Sequence, residues 1–434
     1  MAQNLAWMNN TTDFSVTPSP AVPSDSTSDL EHGTPQPAPE LSAPREGPAP
    51  VITTLAQLKA SCRALAAGSG PFAVDAERAS GYRYGQRNYL VQVRRDTVGT
   101  YLFDSLALPD LSLLNEVMAD EVWIFHAASQ DLIPLREQNL FPTRIYDTEV
   151  GARILGLERV GLSAVTSELL GLSLRKEHSS QDWSQRPIPE AWLNYAALDV
   201  ELLTELMDAQ SRLLAQAGKL DWATQEFEHI RQAEPAPARV DPWRRVSGLQ
   251  QIKDRRKMAI VRELWLERDR IAQQRDCSPS RVLHDRAIVA AAQAMPKNVG
   301  SLLSLHEFGG QSVKRRSANW QHAIDCALAL SDEDLPALRA QRSKAAPMPK
   351  IWPDKNPRAA KWYDAAKKFL DQRAIDAQLP IENLLQPKLM RQLLWDASES
   401  ATTIDAEQYL LSHGARAWQV ELTAPKLNEI LATR

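Results

Sequence analysis

Cysteine is scarce in this chain. Its three residues, Cys62, Cys277 and Cys326, lie far apart and form no C-x-x-C pair. That argues against a disulfide framework or a zinc site and suits a reducing cytoplasm. Long apolar runs are missing too, for no stretch approaches the roughly 18 residues of a membrane-spanning helix. The opening M-A-Q-N-L-A-W-M-N-N has neither a basic nor an apolar segment, so no secretory leader is expected. Neither sign of charge dominates: 50 Lys and Arg against 54 Asp and Glu leave a net −4. The expectation is a cytoplasmic protein with no membrane partner. With 434 residues and 44% apolar content it can bury several cores, which suggests about two to four domains.

The near-neutral total conceals segregation. Residues 1–50 hold six acids and one base, and residues 51–231 hold 24 acids against 17 bases. Residues 239–322 reverse the balance, with 17 bases against eight acids. A basic module after an acidic one points to nucleic acid as a partner, because phosphate neutralisation supplies most sequence-independent affinity.

Residues 1–50 carry nine prolines, many Ser and Thr, and few large apolar side chains. Such a segment cannot bury enough surface to offset its ordering entropy, so a disordered tail is expected. From 51 to 233 strands and helices mix. Strands are predicted at 72–77, 89–94, 100–104 and 122–125, and helices at 53–66, 110–119, 129–138, 147–155, 162–170 and 189–215. That order indicates an α/β layer with a mixed sheet. E-P-A-P-A-R (234–239) reads as a linker before an all-helical module at 239–326 with a long helix near 251–275. A second linker is expected at 340–357, then helices over 358–434.

Within the first strand, F-A-V-D-A-E (72–77) interrupts an apolar run with two carboxylates. Strand side chains alternate, so Asp75 and Glu77 share a face, roughly 7 Å apart. Like charges on an apolar strand are costly unless something neutralises them. The strand V-W-I-F leads into H-A-A-S-Q-D-L, placing Asp131 in the first turns of a helix. Helix-terminus electrostatics would account for Asp131 alone. In W-L-N-Y-A-A-L-D-V-E-L-L, Tyr195 and Asp199 are four residues apart and share a helix face with Leu198 and Leu202 close by. Each signal is weak singly. Together they make four inward carboxylates, the donor set that hard divalent cations demand. Two such ions can activate a water and stabilise the leaving oxygen of a phosphoryl displacement. Tyr195 would orient that water or help deprotonate it.

V-D-A-E, H-A-A-S-Q-D-L and Y-A-A-L-D-V resemble the three exonuclease motifs of the DEDD 3′–5′ exonucleases, in the tyrosine-bearing subgroup. K-E-H-S-S-Q-D-W-S-Q-R-P (176–187) is similar to the block that precedes the third motif in the ribonuclease D family. Residues 240–326, with W-R-R-V-S-G-L and S-P-S-R-V-L, look like a helicase-and-ribonuclease-D C-terminal (HRDC) domain; 358–434 resemble a second, divergent copy. The resemblance implies a ribonuclease-H-like core and two Mg²⁺ or Mn²⁺ ions. Asp75, Glu77, Asp131 and Asp199 would be the metal ligands and Tyr195 the water-positioning group. The implied activity is release of 5′-mononucleotides from the single-stranded 3′ end of RNA, with tRNA precursors the family-typical substrate, by a monomer. The Pro-rich tail and Gln181 depart from the family pattern without touching a ligand.

Other residues admit two readings. His126 could contact substrate or be a hydrogen-bonded structural histidine. Asp147 reads as an N-cap. Lys176 and Arg186 lie in a polar loop, Arg186 suited either to a phosphate or to a structural ion pair. Gln86, Arg87 and Tyr89 could line the channel for the RNA end, Tyr89 by stacking, or belong to a plain surface hairpin. A DNA 3′–5′ exonuclease on the same scaffold and a non-catalytic RNA-binding scaffold stay open as alternatives.

Overall fold

The computed structural model describes residues 38–175, 180–339 and 345–433. Among them are strands β1 (Glu40–Leu41), β2 (Val51–Ile52), β3 (Phe72–Arg78), β4 (Asn88–Arg95), β5 (Gly99–Asp104), β6 (Val122–Phe125), β7 (Arg144–Asp147) and β8 (Ser173–Leu174). Six form one mixed sheet in the order β2-β5-β4-β3-β6-β7. β3, β4 and β5 run as an antiparallel meander, while β6 and β7 continue parallel to β3. The mixed sheet expected from the sequence is present. β3 sits at its centre because Phe72, Ala73 and Val74 are fully buried and β4 is buried along its whole length.

Helices α1 (Leu55–Ala67), α2 (Ser112–Met118), α3 (Leu132–Arg136), α4 (Thr148–Leu155), α5 (Leu162–Leu170), α6 (Glu190–Glu201), α7 (Leu203–Gln216) and α8 (Leu220–Arg231) surround this sheet. α1 begins at a capping box in which Thr54 and Gln57 satisfy each other's backbone N–H groups. The single helix predicted over 189–215 breaks at Leu202, whose φ of −109° and ψ of 7° leave helical geometry. The two halves serve different partners, α6 packing on β3, β4 and β5, and α7 on α4, α5 and β6. Strand β7 escaped the sequence reading because R-I-Y-D is too short to show periodicity.

The expected tail boundary at residue 50 moves. Glu40–Leu41 pairs in parallel with Ser173–Leu174. Arg45 Nη1 donates to Glu205 Oε1 at 2.5 Å, and Glu46 accepts from both terminal nitrogens of Arg94. Residues 38–50 therefore belong to the α/β layer, fastened by ion pairs that composition does not reveal; residues 1–37 lie outside the described residues.

The basic module has its own core, built on α9 (Arg255–Gln274), α10 (Pro279–Val282), α11 (Asp285–Ala294) and Ser317–Ala329 around Trp243, Leu264, Ile288, Phe308 and Trp320. The C-terminal module differs, for its buried residues join the same apolar cluster as the six-stranded sheet. Trp418 stacks on Trp222 of α8 at 5.0 Å and 14°. Buried Glu226 accepts from Arg416 Nε (2.6 Å) and from Trp418 Nε1 (3.0 Å). Gly156 ends α4 at φ 82°, and the backbone oxygen of Gln378 fills the space a Cβ would need. The linker expected at 340–357 is also shorter than composition suggests. Trp352 within it is fully buried against Tyr363 and Trp395, an aromatic anchor hidden among Pro and Lys.

Removing one partner of a buried ion pair leaves the other charge desolvated. Glu226→Ala should therefore cost about 3 kcal/mol, against less than about 0.5 kcal/mol for Glu228→Ala in its exposed pair with Arg231. Chemical denaturation of the two variants checks this; equal losses would mean that Glu226 does not hold the C-terminal module.

Candidate active site

Strand β3 supplies the first two carboxylates. Its alternation turns Asp75 and Glu77 to one side, and pairing on both edges leaves the backbone little freedom. The third comes from the loop after β6. There Ala127 adopts a left-handed φ of 70°, and Asp147, at the end of neighbouring β7, holds the turn. The Asp147 carboxylate accepts from Ala127 N (3.1 Å) and Ala128 N (2.8 Å) while capping α4 through Glu149 N and Val150 N. A short helical turn at Ala128–Gln130 then delivers Asp131 to the start of α3. The fourth carboxylate, Asp199, stands one turn beyond Tyr195 on α6, and the Tyr195 hydroxyl is hydrogen-bonded to it.

The D-W-S-Q-R-P block fixes how α6 arrives. Trp183 is fully buried, with Trp192 at 5.5 Å and Tyr195 at 6.4 Å between ring centroids. Arg186 spends all five N–H groups inside the protein: Nε and Nη2 on the two oxygens of Asp104, and the rest on the carbonyls of Tyr89, Trp183 and Gln185. Nothing is left for a phosphate, so Arg186 is structural. The sequence offered both readings; the Asp104 partner, 82 residues away, decides it.

Asp75, Glu77, Asp131, Tyr195 and Asp199 line one pocket of about 230 Å³ with His126, Arg78 and Gln130. Among the described residues, Asp75, Glu77 and Asp199 each offer a carboxylate oxygen, all within 4.8 Å of one another, so these three could hold a metal ion together. An all-oxygen, anionic donor set fits a hard divalent cation. Burial pushes Asp75 up to about 6. Burial, with added repulsion from neighbouring carboxylates, holds Glu77, Asp131 and Asp199 well above the usual carboxylate range. Burial and the adjacent Asp199 likewise raise the Tyr195 phenol, so it stays protonated and serves as a hydrogen-bond donor.

Not every expected residue joins this pocket. Tyr89 cannot stack on a base: its ring is 1% exposed and its hydroxyl accepts from Arg87 Nε at 3.0 Å. Gln86 sits outside the pocket in an exposed loop, accepting from Ser80 Oγ. His126 does line the pocket, with Nδ1 2.9 Å from Thr148 Oγ1, and burial lowers it to about 4, so it is neutral. Lys176 lies outside the described residues. The sequence reading missed Arg78, the arginine of the pocket lining. Its guanidinium donates to the backbone oxygen and side chain of Gln130 and stands 3.8 Å from Asp131. Its place three residues after Asp75, on the opposite parity to the carboxylates, hid it until the fold brought Gln130 alongside.

Residues 50–215 match a family profile described as "3'-5' exonuclease", residues 257–324 one described as "HRDC domain", and residues 345–431 one described as "3' to 5' exonuclease C-terminal domain". A ribonuclease D from Jannaschia sp. is 34% identical over 58% of this chain and 67% of its own length. Alignments to two other curated ribonucleases D cover slightly less than two thirds of those proteins, 65% and 62%. A solved protein from Bifidobacterium adolescentis superposes with a TM-score of 0.84 at 36% identity, over 91% of this chain and all of that one. Escherichia coli RNase D, described as an exoribonuclease involved in structured RNA processing, superposes at 0.63 with 25% identity over 88% of this chain and 98% of its own. The catalytic layer is thus ribonuclease-H-like, followed by an HRDC module.

The raised carboxylates have a sign. Asp75 holds its proton more tightly folded than unfolded, so metal-free protein loses stability as pH rises from about 4 through about 6. In EDTA above pH 6.5, Asp75→Asn should be more stable than wild type by about 1–3 kcal/mol, with the gap closing toward pH 4. Melting curves across that range test it; a gap independent of pH would refute the buried-charge account.

Proposed function

The chain belongs to the ribonuclease D family, and from that premise we propose that it is a metal-dependent 3′–5′ exoribonuclease releasing 5′-mononucleotides from the single-stranded 3′ ends of structured RNA. tRNA precursors are the substrates we favour, and Mg²⁺ or Mn²⁺ the ions. The supporting observation is the convergence of Asp75, Glu77 and Asp199 within 4.8 Å, with Asp131 and Tyr195 lining the same pocket. We further propose a cytoplasmic monomer; no helix among the described residues is long and apolar enough to cross a membrane.

The four carboxylates would hold the divalent ions, which when bound supply an activated water and charge neutralisation at the scissile phosphate. The chain's own residues do the rest. The protonated Tyr195 hydroxyl donates to Asp199 and can donate equally to an oxygen at the reaction centre. Arg78, fixed by Gln130, sets a positive charge at the mouth of an anionic pocket, where a phosphate must pass. Trp183 and Arg186 hold α6 so that Tyr195 and Asp199 keep their places relative to β3. Chemistry at the phosphate is independent of the base, so selection would rest on RNA shape and an accessible end.

Incubating 5′-labelled RNA and DNA with single-stranded 3′ tails tests this reading. Wild type should shorten RNA in Mg²⁺ or Mn²⁺ one nucleotide at a time and stop in EDTA. Asp199→Asn should lower the rate by about 10³-fold or more, and Tyr195→Phe by about 10²-fold with RNA affinity retained. Full activity in Asp199→Asn would defeat the assignment, and preferential digestion of DNA would replace RNA as the substrate.

A further inference from the structure

We infer that the junction between the catalytic layer and the HRDC module is a phosphate-binding cleft that grips the RNA strand behind its 3′ end, an inference that rests on the RNA reading above. The loop from Ala79 to Arg87 leaves β3 directly after Glu77 and Arg78, and the HRDC module docks on it. Ser278 N donates to the Tyr82 carbonyl (3.0 Å), and Tyr84 hydrogen-bonds Asp269 and Gln273 of α9. Arg281 Nε donates to the Gly81 carbonyl (3.0 Å), with the guanidinium 4.2 Å over the Tyr82 ring. Beside these contacts lies an open cleft of about 680 Å³, running from Gly81 to segments of the module on either side. Arg281, His284, Arg286 and His306 line it, against one acid, Glu307.

Pairing sets these cations apart from the arginines of α9; Arg245, Arg275, Arg315 and Arg316 also lack an ion pair among the described residues, but they do not line the cleft. On α9, Arg255 bonds backbone carbonyls, Arg256 bonds carbonyls and Asp332, and Arg262, Arg268 and Arg270 bond Glu263, Asp285 and Glu267. Among the described residues, Arg281 and Arg286 have no carboxylate within ion-pair distance. Asp285, which sits between them in sequence, is turned away, held by Arg268 at 2.6 Å and by Ser247 N at 2.8 Å. Arg281 is pinned through Nε, and among the described residues its terminal nitrogens have no hydrogen-bond partner. Unpaired guanidinium groups around a concavity call for an anion. The concave lining mixes these cations with apolar Val282, Leu283 and Val313, and it is the cations that suit a phosphodiester backbone. Location names the strand: Gly81 is four residues past Glu77, within about 14 Å along the chain. RNA whose 3′ end reaches the carboxylates meets the cleft a few nucleotides upstream.

The test is binding of fluorescein-labelled oligoadenylate, a tetranucleotide and a dodecanucleotide, to the full chain in EDTA, where no hydrolysis competes. The Arg281→Ala/Arg286→Ala double variant should bind the dodecanucleotide about 10-fold or more weakly, and its salt slope should flatten by about 1.4, two contacts at about 0.7 each. The tetranucleotide, too short to span both sites, should change far less. Among the described residues Arg286 has no hydrogen-bond or ion-pair partner, so Arg286→Ala isolates the ligand effect should the double variant fail to fold; Arg286→Lys should recover part of the affinity. Unchanged dodecanucleotide affinity would overturn the cleft. So would an equal loss from Lys368→Ala in the other helical module, or a polyglutamate peptide whose binding depends on Arg286 while RNA binding does not. Failure of the nuclease reading would show separately, as wild type that leaves RNA intact in Mg²⁺.

Discussion

Asp75, Glu77, Asp131 and Asp199 face one another across a small pocket, Glu77 and Asp131 buried and Asp75 and Asp199 half-buried, and desolvation holds each above its ordinary pKa. The charge on Asp75 is a further cause for the other three. A flexible chain would relieve such repulsion by moving apart. This one cannot, because two of the groups ride on the central strand of a six-stranded sheet and a third on a helix packed across three of its strands. The arrangement is uncomfortable without a cation and well suited to one. Rigid placement of oxygen donors is what a hard ion requires, and the repulsion is what the ion's charge removes.

Much of the surrounding polar structure maintains that placement. Asp147 is more deeply buried than any of the candidate ligands, yet its oxygens are consumed by four backbone N–H groups, and its work is to shape the turn that presents Asp131. Arg186 and Asp104 form the matching support on the other side, tying the loop before α6 to the end of β5. Both are charged groups near the site whose hydrogen bonds are saturated. Saturation separates them from the groups that remain open to a ligand.

The helical modules attach by different physics. The C-terminal module shares an apolar core with the catalytic layer and is sealed by Trp222 on Trp418 and by Glu226. The HRDC module keeps a separate core and meets the loop from Ala79 to Arg87 through polar contacts and through Tyr84, which packs against that core. That loop is the direct continuation of the strand bearing Asp75 and Glu77. The HRDC junction therefore lies next in the chain to the candidate metal ligands.

The local sequence determined a good deal. F-A-V-D-A-E had to be a buried strand with two carboxylates on one face, because apolar content sets burial and strand geometry sets parity. Y-A-A-L-D had to place a phenol and a carboxylate one helical turn apart. V-W-I-F and the helix at 162–170 were legible for the same reason, since short-range periodicity encodes them. What the tertiary structure alone decided depends on partners distant in the chain. Whether Arg186 met a phosphate or Asp104, whether Tyr89 faced RNA or the core, and whether Arg78 mattered at all were settled by residues about 50 to 100 positions away. Charge and residue type name what a side chain can bind. Which partner it finds is fixed when the sheet closes and the helices pack, because only then are distance and desolvation defined.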